Sequence, residues 1–273
     1  MKIKKIVHKL AKIIPLGVKI QIHNYILLIK RIIIWFFHYR GKEFYCPCCG
    51  YKLKKWMVFN PSGMENYIDI KRVKANVGTV CPVCQCFPRH RIIAYWLTKE
   101  GGANVLKNGN FVFFAPDSSL IKILRNNKIS FKSADLFNKA DLKVDIQNMD
   151  FNDESIGAIM CNHVLEHVED YRRALKEIYR VLKKNGTLIC TFPYLEDMSE
   201  TYEDSTKVSK EERIEAFGQY DHCRIFGRDI YEVIKSFGFD VNLIQGKDFP
   251  KAIGPLIGPA DYDSNIVFVC TKK

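Results

Sequence analysis

The stretch Ile156–Pro193, IGAIMCNHVLEHVEDYRRALKEIYRVLKKNGTLICTFP, carries the clearest fold signal in this chain of 273 residues. Its apolar run Ile156–Met160 is short enough for a buried strand, and Thr187–Phe192 is a second run of the same kind. Between the runs, apolar residues recur at helical spacing among charges: Leu175, Ile178, Val181 and Leu182. The pair Asn185-Gly186 predicts the end of that helix. Strand, helix and strand in this order predict a βαβ crossover, which requires a parallel sheet.

The carboxyl ends of these two strands are the expected mouth of a binding site. In open parallel sheets, ligands bind in the crevice beyond those ends. Cys161, Asn162 and His163 follow the first strand, and Pro193-Tyr194 follows the second. We therefore expect these residues to lie at the mouth of the site.

Two blocks within the stretch resemble a known family. Val164–Val168 reads VLEHV, and Arg180–Gly186 reads RVLKKNG. The stretch is similar to the fourth strand, following helix and fifth strand of class I S-adenosylmethionine-dependent methyltransferases of type 11, and residues 110–273 follow the same order more loosely. The resemblance implies a Rossmann-like α/β fold with a mostly parallel seven-stranded sheet. It also implies an enzyme that transfers the methyl group of S-adenosylmethionine.

The resemblance further implies a set of cofactor-binding residues. In the family pattern, Asp135 would accept hydrogen bonds from the cofactor ribose, and Asp145-Ile146 would flank its adenine. The remaining positions that match the family's cofactor site are Ala115, Pro116, Asp117, Leu136, Asn162 and His163.

The first turn of the expected domain departs from the family. It reads Ala115-Pro116-Asp117, where most members carry a glycine-rich turn, and no glycine lies between Asn110 and Gly157. S-adenosylmethionine has no pyrophosphate that would need a glycine cradle. Residues 81–91, CPVCQCFPRHR, resemble a zinc-ribbon-like module that precedes some bacterial methyltransferase domains, and those proteins often carry a similar Ala-Pro-acid turn.

The net charge of +12 is concentrated in the N-terminal part. Residues 1–42 hold ten Lys and Arg and no acid, whereas the residues after 108 hold more acidic than basic side chains. This distribution argues against a nucleic-acid surface spread over the catalytic domain. We accordingly divide the chain into a basic amphipathic arm (1–42), a zinc-ribbon-like module (43–92) and a methyltransferase domain (93–273) with a lid or insertion at 195–218.

The arm has two interpretations. Met1–Ile14 has an apolar and a lysine-rich face, which predicts a basic amphipathic helix. A second apolar segment, Tyr25–Ile29 and Ile32–Phe37, is interrupted by Lys30-Arg31 and falls short of the run that a membrane-spanning helix needs. Residues 1–40 could therefore lie on an anionic membrane surface, or pack on the body of the protein or on a second subunit.

The cysteines give the strongest local chemical signal. Two CxxC pairs, Cys46/Cys49 and Cys81/Cys84, have the spacing of a four-thiolate structural zinc site. Cys48 and Cys86 are left over, and Cys86 could substitute within the second pair. Such a site in a chain without a recognisable signal peptide is typical of the reducing cytoplasm.

The segment after the second strand of the crossover is the expected acceptor side. Residues 195–217 are polar and acid-rich, as in loops that shape substrate pockets. Asp221 and His222 follow, and histidine titrates in the range useful for a base, so these two are our candidates for catalysis. The alternative is that Asp221 and Arg224 attach the lid to the body.

The sequence thus predicts transfer of a methyl group from S-adenosylmethionine to a small-molecule or glycan acceptor. We expect the protein in the cytoplasm, where the first interpretation of the arm would place it on the inner face of the membrane. Two alternatives stay open. One is an RNA methyltransferase that uses the zinc module for binding, although the sequence favours nucleic acid less than a small molecule or glycan as the partner. The other is a binding protein that keeps the fold without catalysis.

Overall fold

The computed structural model describes residues 15–58, 80–107, 109–254 and 266–273. The predicted helix Met1–Ile14 and most of the loop between the two cysteine pairs lie outside these ranges. The described chain begins with helix α1 (Leu16–Ile34), which continues into a π-helical turn (Trp35–Tyr39). By length and composition, residues Gly17–Tyr39 could cross a membrane. The prediction that this segment falls short was therefore wrong, because the helix continues through Lys30-Arg31.

A small cysteine-bearing module follows. Strands β1 (Arg40–Tyr45) and β2 (Lys52–Leu53) pair antiparallel on either side of the first CxxC pair, Cys46/Cys49. The second CxxC pair, Cys81/Cys84, leads into helix α2 (Pro88–Lys99). Its first residue is a proline, which is common at the first position of a helix. Helix α2 and the 3₁₀ helix Gly102–Lys107 then connect the module to the sheet.

The main sheet has six strands among the described residues, in the order β4-β3-β5-β6-β10-β9. They are β3 (Phe111–Phe114), β4 (Lys132–Ala134), β5 (Ile156–Asn162), β6 (Leu182–Thr191), β9 (Phe239–Gln245) and β10 (Ile266–Lys272). Strands β4, β3, β5 and β6 are parallel, and β10 is antiparallel to both neighbours. The prediction of seven strands is corrected to six among the described residues, because the segment after β4 makes one parallel bridge, between Ala134 and Leu142, in place of a strand ladder.

Both faces of the sheet are covered, as the continuous apolar strands require. On β3, Phe111 and Phe113 point into a core that the sheet shares with the cysteine module. Val112 and Phe114 point into the opposite core, which contains helix α4 (Tyr171–Val181). The module therefore packs on one sheet face as part of a common core.

The crossover β5–α4–β6 is present, with a different boundary. Asp170 caps α4 by accepting a hydrogen bond from the backbone N–H of Arg173 at 2.9 Å. The helix ends at Val181 rather than at Asn185-Gly186, since Leu182 already pairs with Ile156 of β5. The pairing register then shifts, so 183–186 form a bulge within β6, and Asn185 adopts φ 63° there.

The segment after β6 is more ordered than its composition predicts. It contains strand β7 (Tyr202–Glu203), helix α5 (Lys210–Phe217) and strand β8 (Arg224–Ile225), and β7 pairs with β8. Ser209 and Glu212 form a capping box at the start of α5, and Gly218 ends it in the left-handed conformation. Helix α6 (Asp229–Ser236) then leads into β9.

Helix α3 (Ser118–Asn126) connects β3 to β4 and completes the described helices of the sheet domain.

Candidate active site

Two neighbouring strands end in the same strained turn conformation. Ala115, directly after β3, has φ 43°, and His163, directly after β5, has φ 52°. Residues other than glycine rarely adopt positive φ, and such strain is concentrated at functional sites. The turn after β3 thus takes a left-handed conformation although alanine stands where the family commonly has glycine. The missing glycine therefore does not mean that the turn is absent.

Asp117 in this first turn is held by a histidine from the module side. His90 Nε2 of helix α2 lies 3.0 Å from Asp117 Oδ1, while its Nδ1 accepts a hydrogen bond from the Phe87 backbone at 3.2 Å. Burial lowers the pKa of His90. Burial alone would raise the pKa of Asp117, but the His90 contact outweighs it and leaves that pKa below its usual value. The RHR motif thus reaches the expected cofactor turn, which its position in the sequence did not reveal.

His163 and Glu166 form the centre of the site. His163 Nδ1 lies 2.8 Å from Glu166 Oε1, so it donates to the carboxylate, and Nε2 is left as an acceptor in the neutral ring. Glu166 is fully buried. Burial would raise its pKa, but His163 opposes this and the pKa stays below the usual value. Glu166 Oε2 and His163 Nε2 are both buried and have no hydrogen-bond partner among the described residues.

His222 enters the same cluster from the segment before β8. Its ring packs edge-on against His167 with centroids 4.8 Å apart. Burial lowers the pKa of His222 to about 4, so the ring is neutral at physiological pH. His222 Nδ1 is buried without a hydrogen-bond partner in the described part of the chain. Ligand atoms of Glu166, His167 and His222 lie within 4.8 Å of one another, a donor set that could hold a divalent metal ion.

Asp221 is half-buried beside this group. His167 Nδ1 lies 3.4 Å from Asp221 Oδ2 and 3.2 Å from the Asp221 backbone oxygen. The structure therefore brings Asp221 and His222 together with two residues of the VLEHV block. From the sequence, Glu166 and His167 count only as part of the VLEHV block, and neither of them is assigned to the site. Only the histidine and acid content of VLEHV signalled that they belong to the site.

Arg224 attaches the lid to this turn. Its guanidinium is buried and donates to the carbonyl oxygens of Leu165, Val168 and Glu169 at 2.6–2.9 Å. Its Nε donates to Glu203 Oε1 of β7 at 2.6 Å. This arrangement matches the structural alternative for Arg224, whereas Asp221 contacts His167.

The expected ribose residue Asp135 borders a cavity. Asp135 Oδ1 accepts hydrogen bonds from the backbone N–H groups of Phe137 and Asn138 at 2.8 and 2.7 Å. Burial alone would raise its pKa, but these hydrogen bonds together outweigh it and leave the pKa below its usual value. A cavity of about 650 Å³ is lined by Asp135, Ala115 and Pro116 among others. Leu136 is exposed beside it. The cavity has the size of a small-molecule site.

The other predicted cofactor residues lie along neighbouring strand ends. Asp145 Oδ1 accepts from the Gln147 backbone at 2.8 Å, and Ile146 is buried in the core. Asn162 is buried at the end of β5, where its Oδ1 accepts from Thr191 Oγ1 at 3.3 Å. Its Nδ2 has no partner among the described residues. Asp145, Ile146, Asn162 and His163 do not line the 650 Å³ cavity.

The two cysteine pairs have the same backbone geometry. Gly50 donates to the Cys46 carbonyl at 2.7 Å, and Gln85 donates to the Cys81 carbonyl at 2.9 Å. Gly50 and Gln85 have φ 78° and 62°, as the tight turn after each pair requires. Ligand atoms of all four predicted zinc ligands, Cys46, Cys49, Cys81 and Cys84, lie within 4.8 Å of one another. Four thiols at these distances fit a closed tetrahedral zinc site.

Part of the chain resembles a known protein family. Residues 119–190 match the family described as "Methyltransferase domain". No curated protein matches the chain. A possible histamine N-methyltransferase from Thermotoga maritima is 20% identical, covering 68% of this chain and 99% of that one, with a TM-score of 0.40. A methyltransferase from Archaeoglobus fulgidus is 14% identical, covering 67% and 94%, with a TM-score of 0.45.

A third solved structure carries a product-state cofactor. The 1,6-didemethyltoxoflavin-N1-methyltransferase of Burkholderia thailandensis, solved with S-adenosylhomocysteine, is 14% identical over 64% of this chain and 77% of that one, with a TM-score of 0.42. Similarity at this level says nothing about the acceptor of the present chain. The family match over residues 119–190 and the Rossmann-like arrangement of the parallel strands support an S-adenosylmethionine-dependent methyltransferase domain in this chain.

Proposed function

We propose that this methyltransferase acts on a small-molecule or glycan acceptor that enters at the Glu166–His222 cluster. The observation that carries this proposal is the set of unpartnered buried atoms there: Glu166 Oε2, His163 Nε2 and His222 Nδ1. Buried polar groups almost always have partners, so three orphans at one place indicate a ligand that supplies them. Glu166 Oε2 and His163 Nε2 are acceptors, and His222 Nδ1 is an acceptor in the tautomer that carries its hydrogen on Nε2, which suits a ligand rich in hydroxyl or amine hydrogens.

The cofactor would occupy the neighbouring strand ends. In this proposal the turn Ala115-Pro116-Asp117 approaches the cofactor with its backbone, and Asp135 with Leu136 contacts the ribose. Asp145 and Ile146 flank the adenine, while Asn162 and His163 face the reacting end. The His90 contact fixes Asp117, and that contact links the module to the cofactor turn.

S-adenosylmethionine, when bound, supplies an electrophilic methyl group that an acceptor displaces in line. The contribution of this chain is position and orientation, which can account for much of such a rate enhancement. Neutral His222 would accept a hydrogen bond from the substrate that receives the methyl group. This hydrogen bond would direct the lone pair of the substrate nucleophile at the methyl group. Asp221 would hold His167 against the His222 ring, and the lid would exclude water.

We also propose a zinc ion at Cys46, Cys49, Cys81 and Cys84 and an association of the arm with an anionic membrane surface in the cytoplasm. Helix α1 exposes apolar side chains on several sides, including Tyr25 and Ile33, at 66% and 51% exposure. Phe37, in the π-helical turn, is 70% exposed. Lys30 and Arg31 lie among these residues and would contact lipid headgroups.

The test is methyl transfer from labelled S-adenosylmethionine into a cell extract separated into lipid, polysaccharide, RNA, protein and small-molecule fractions. We expect label in a small-molecule or glycan fraction. The variant His222→Asn should lose most of this transfer and keep cofactor binding by calorimetry, whereas His23→Asn on the exposed helix should behave like wild type. Label in RNA would establish the alternative acceptor class. A zinc-loaded, folded protein without measurable cofactor binding would contradict the whole proposal.

The membrane association has its own test. Sedimentation with vesicles of phosphatidylglycerol and phosphatidylcholine should carry down the full chain, with less binding at high salt. Deletion of residues 1–40 should abolish this binding. Equal sedimentation of the two proteins would contradict the membrane part and leave the methyl transfer untouched.

A further inference from the structure

The Glu166–His222 cluster brings together three side chains of the types that bind metal ions. Glu166 and His167 lie between β5 and α4, and His222 lies just before β8. Ligand atoms of the three side chains lie within 4.8 Å of one another. Donor atoms about 2.1 Å from one ion are roughly 3 to 4 Å apart, so small side-chain rotations would close this group around a metal ion.

Each of the three side chains has a lone pair open to a ligand. Glu166 Oε1 accepts a hydrogen bond from His163 Nδ1 at 2.8 Å, while the buried Oε2 has no partner among the described residues. His222 Nδ1 is buried and equally without a partner there. His167 Nδ1 donates to the Asp221 backbone oxygen at 3.2 Å, so the neutral ring keeps its lone pair on Nε2.

The hydrogen bonds behind these donors have the pattern of a metal site. Histidines that bind a metal usually donate their other ring N–H to a carbonyl or carboxylate oxygen, and carboxylate ligands are hydrogen-bonded in turn. The contacts of His167 with Asp221 and of Glu166 with His163 follow this pattern. A fully buried carboxylate such as that of Glu166 is also unfavourable unless it is paired or coordinates a metal.

The cluster is open to solvent on one side only. Glu166 and His222 are 0% and 5% exposed, whereas the side chains of His167 and Asp221 are 30% and 40% exposed. An ion can therefore enter past His167 and reach the two buried donors.

We propose that Glu166, His167 and His222 bind one divalent transition-metal ion. Two imidazoles and one carboxylate suit ions such as Zn²⁺, Mn²⁺ and Fe²⁺. Three protein ligands leave coordination positions open, as in catalytic sites, whereas the four thiolates of the cysteine module would fill theirs.

The proposal rests on the proposed function and narrows its acceptor to a hydroxyl group. A hydroxyl bound at an open position of the ion loses its proton more readily. That proton goes to water, the oxygen forms a bond to the methyl carbon, and the electron pair of the broken C–S bond stays on the sulfur of S-adenosylhomocysteine. An amine would instead give the ion the lone pair that it needs for the reaction. Coordination by His222 then replaces its direct hydrogen bond to the acceptor.

The test is calorimetric titration of the full chain, without a polyhistidine tag, with Mn²⁺ and separately with Co²⁺. One equivalent of zinc is added first, which the four thiolates should take, because thiolate favours zinc over these ions. We expect one further ion per wild-type chain, with Co²⁺ bound more tightly than Mn²⁺. Binding should weaken by about tenfold or more in His167→Asn and in His222→Asn.

His23→Asn, on the exposed helix α1, is the matched control and should bind both ions like the wild type. A wild-type chain that binds neither ion would overturn the proposal. So would equal affinities in the wild type and the two cluster variants.

A measurement on the wild type covers the case in which the variants fail to fold. Paramagnetic Mn²⁺ should broaden the imidazole NMR signals of His163, His167 and His222 and leave that of His23 unchanged. Broadening of the His23 signal alone would overturn the proposed site.

Transfer of labelled methyl groups and binding of S-adenosylmethionine, measured on the same samples, separate the two proposals. Equal transfer by protein in which elemental analysis finds no ion besides one zinc would overturn the metal site and leave the methyl transfer intact. Specific Mn²⁺ binding by a folded chain that does not bind the cofactor would contradict the methyl transfer and leave the metal site intact.

Discussion

The cysteine module and the polar site at the sheet edge both gather chemically active side chains, but from very different distances along the chain. The module takes its six thiols from two short segments, 46–49 and 81–86. The polar site takes His90, Asp117, Glu166 and His222 from four separate elements. A site of the first kind is readable from spacing, because each CxxC pair fixes its own local geometry. A site of the second kind exists only after the sheet has formed.

The two regions also differ in how they treat buried charge. The thiols surround space that a cation would fill, and that metal would supply folding free energy directly. The histidine and carboxylate groups instead satisfy one another partly and leave acceptors open. We expect such a site to lower the free energy of unfolding, and we expect ligand binding to raise it again. Four variants can break or sharpen this contrast.

Loss of a proposed zinc ligand should have the largest effect. Cys81 is fully buried, and the module shares one core with Phe111 and Phe113 of the sheet. We expect Cys81→Ser to lower the free energy of unfolding by about 5 kcal/mol or more, because the metal energy is folding energy. Urea denaturation measures this, and hydrogen exchange should show loss of protection in β3 as well as in the module. Cys223→Ser is the control, and equal losses in the two variants would refute a metal-built module.

Removal of Arg224 should be the next largest change. The substitution Arg224→Met removes the donors for three carbonyl oxygens and for Glu203 at the VLEHV turn. We expect a loss of about 4 kcal/mol, since breaking a buried charged network leaves its partners unsatisfied. Thermal and urea unfolding report the loss, and methyl transfer should fall further than cofactor binding. The exposed neighbour Arg228→Met should cost little; a comparable cost there would point to a nonspecific effect.

The polar site should also be visible in the pH dependence of stability. Burial lowers the pKa of His222 to about 4, so the unfolded chain binds a proton that the folded chain does not between about pH 6.5 and 4. Stability should therefore fall as the pH drops through this window, by about 3 kcal/mol from His222 alone. Urea midpoints at several pH values should show a shallower fall in His222→Gln and an unchanged fall in the exposed control His23→Gln. A variant that parallels the wild type would mean that His222 is protonated in the folded state.

The sequence predicted what depends on local pattern. The crossover Ile156–Pro193, the strands on either side and the two CxxC pairs are local signals of periodicity and spacing, and the structure has them. The helix boundary at Val181 differed because pairing of Leu182 with Ile156 outweighed the turn preference of Asn185-Gly186. The sheet has six strands instead of the predicted seven for a similar reason, because the segment near Leu142 makes one bridge in place of a ladder.

The polar site was predictable only in part. Asp221 and His222 were chosen from their chemistry, but nothing in spacing placed Glu166 or His167 beside them. Contacts such as His90 with Asp117 join segments that the chain separates by a helix and a strand. Side-chain burial and orphaned atoms, which carry the functional argument, are properties of the packed structure alone. The assigned roles of the cofactor residues stay predictions until a ligand is measured.

The smallest effect concerns the turn that replaces the family's glycine. Ala115 has φ 43°, where an alanine side chain is strained and a glycine is not. We expect Ala115→Gly to raise the free energy of unfolding by at most about 1 kcal/mol, because relief of strain is partly offset by the greater freedom of glycine in the unfolded chain. Cofactor affinity should be retained, since the backbone already holds the turn. Ala134→Gly, in the buried strand β4, should instead destabilise the protein, because that alanine has negative φ and packs in the core. If Ala115→Gly and Ala134→Gly lose stability equally, the left-handed turn is not strained. Alanine in place of glycine at position 115 would then not lower the stability of the protein.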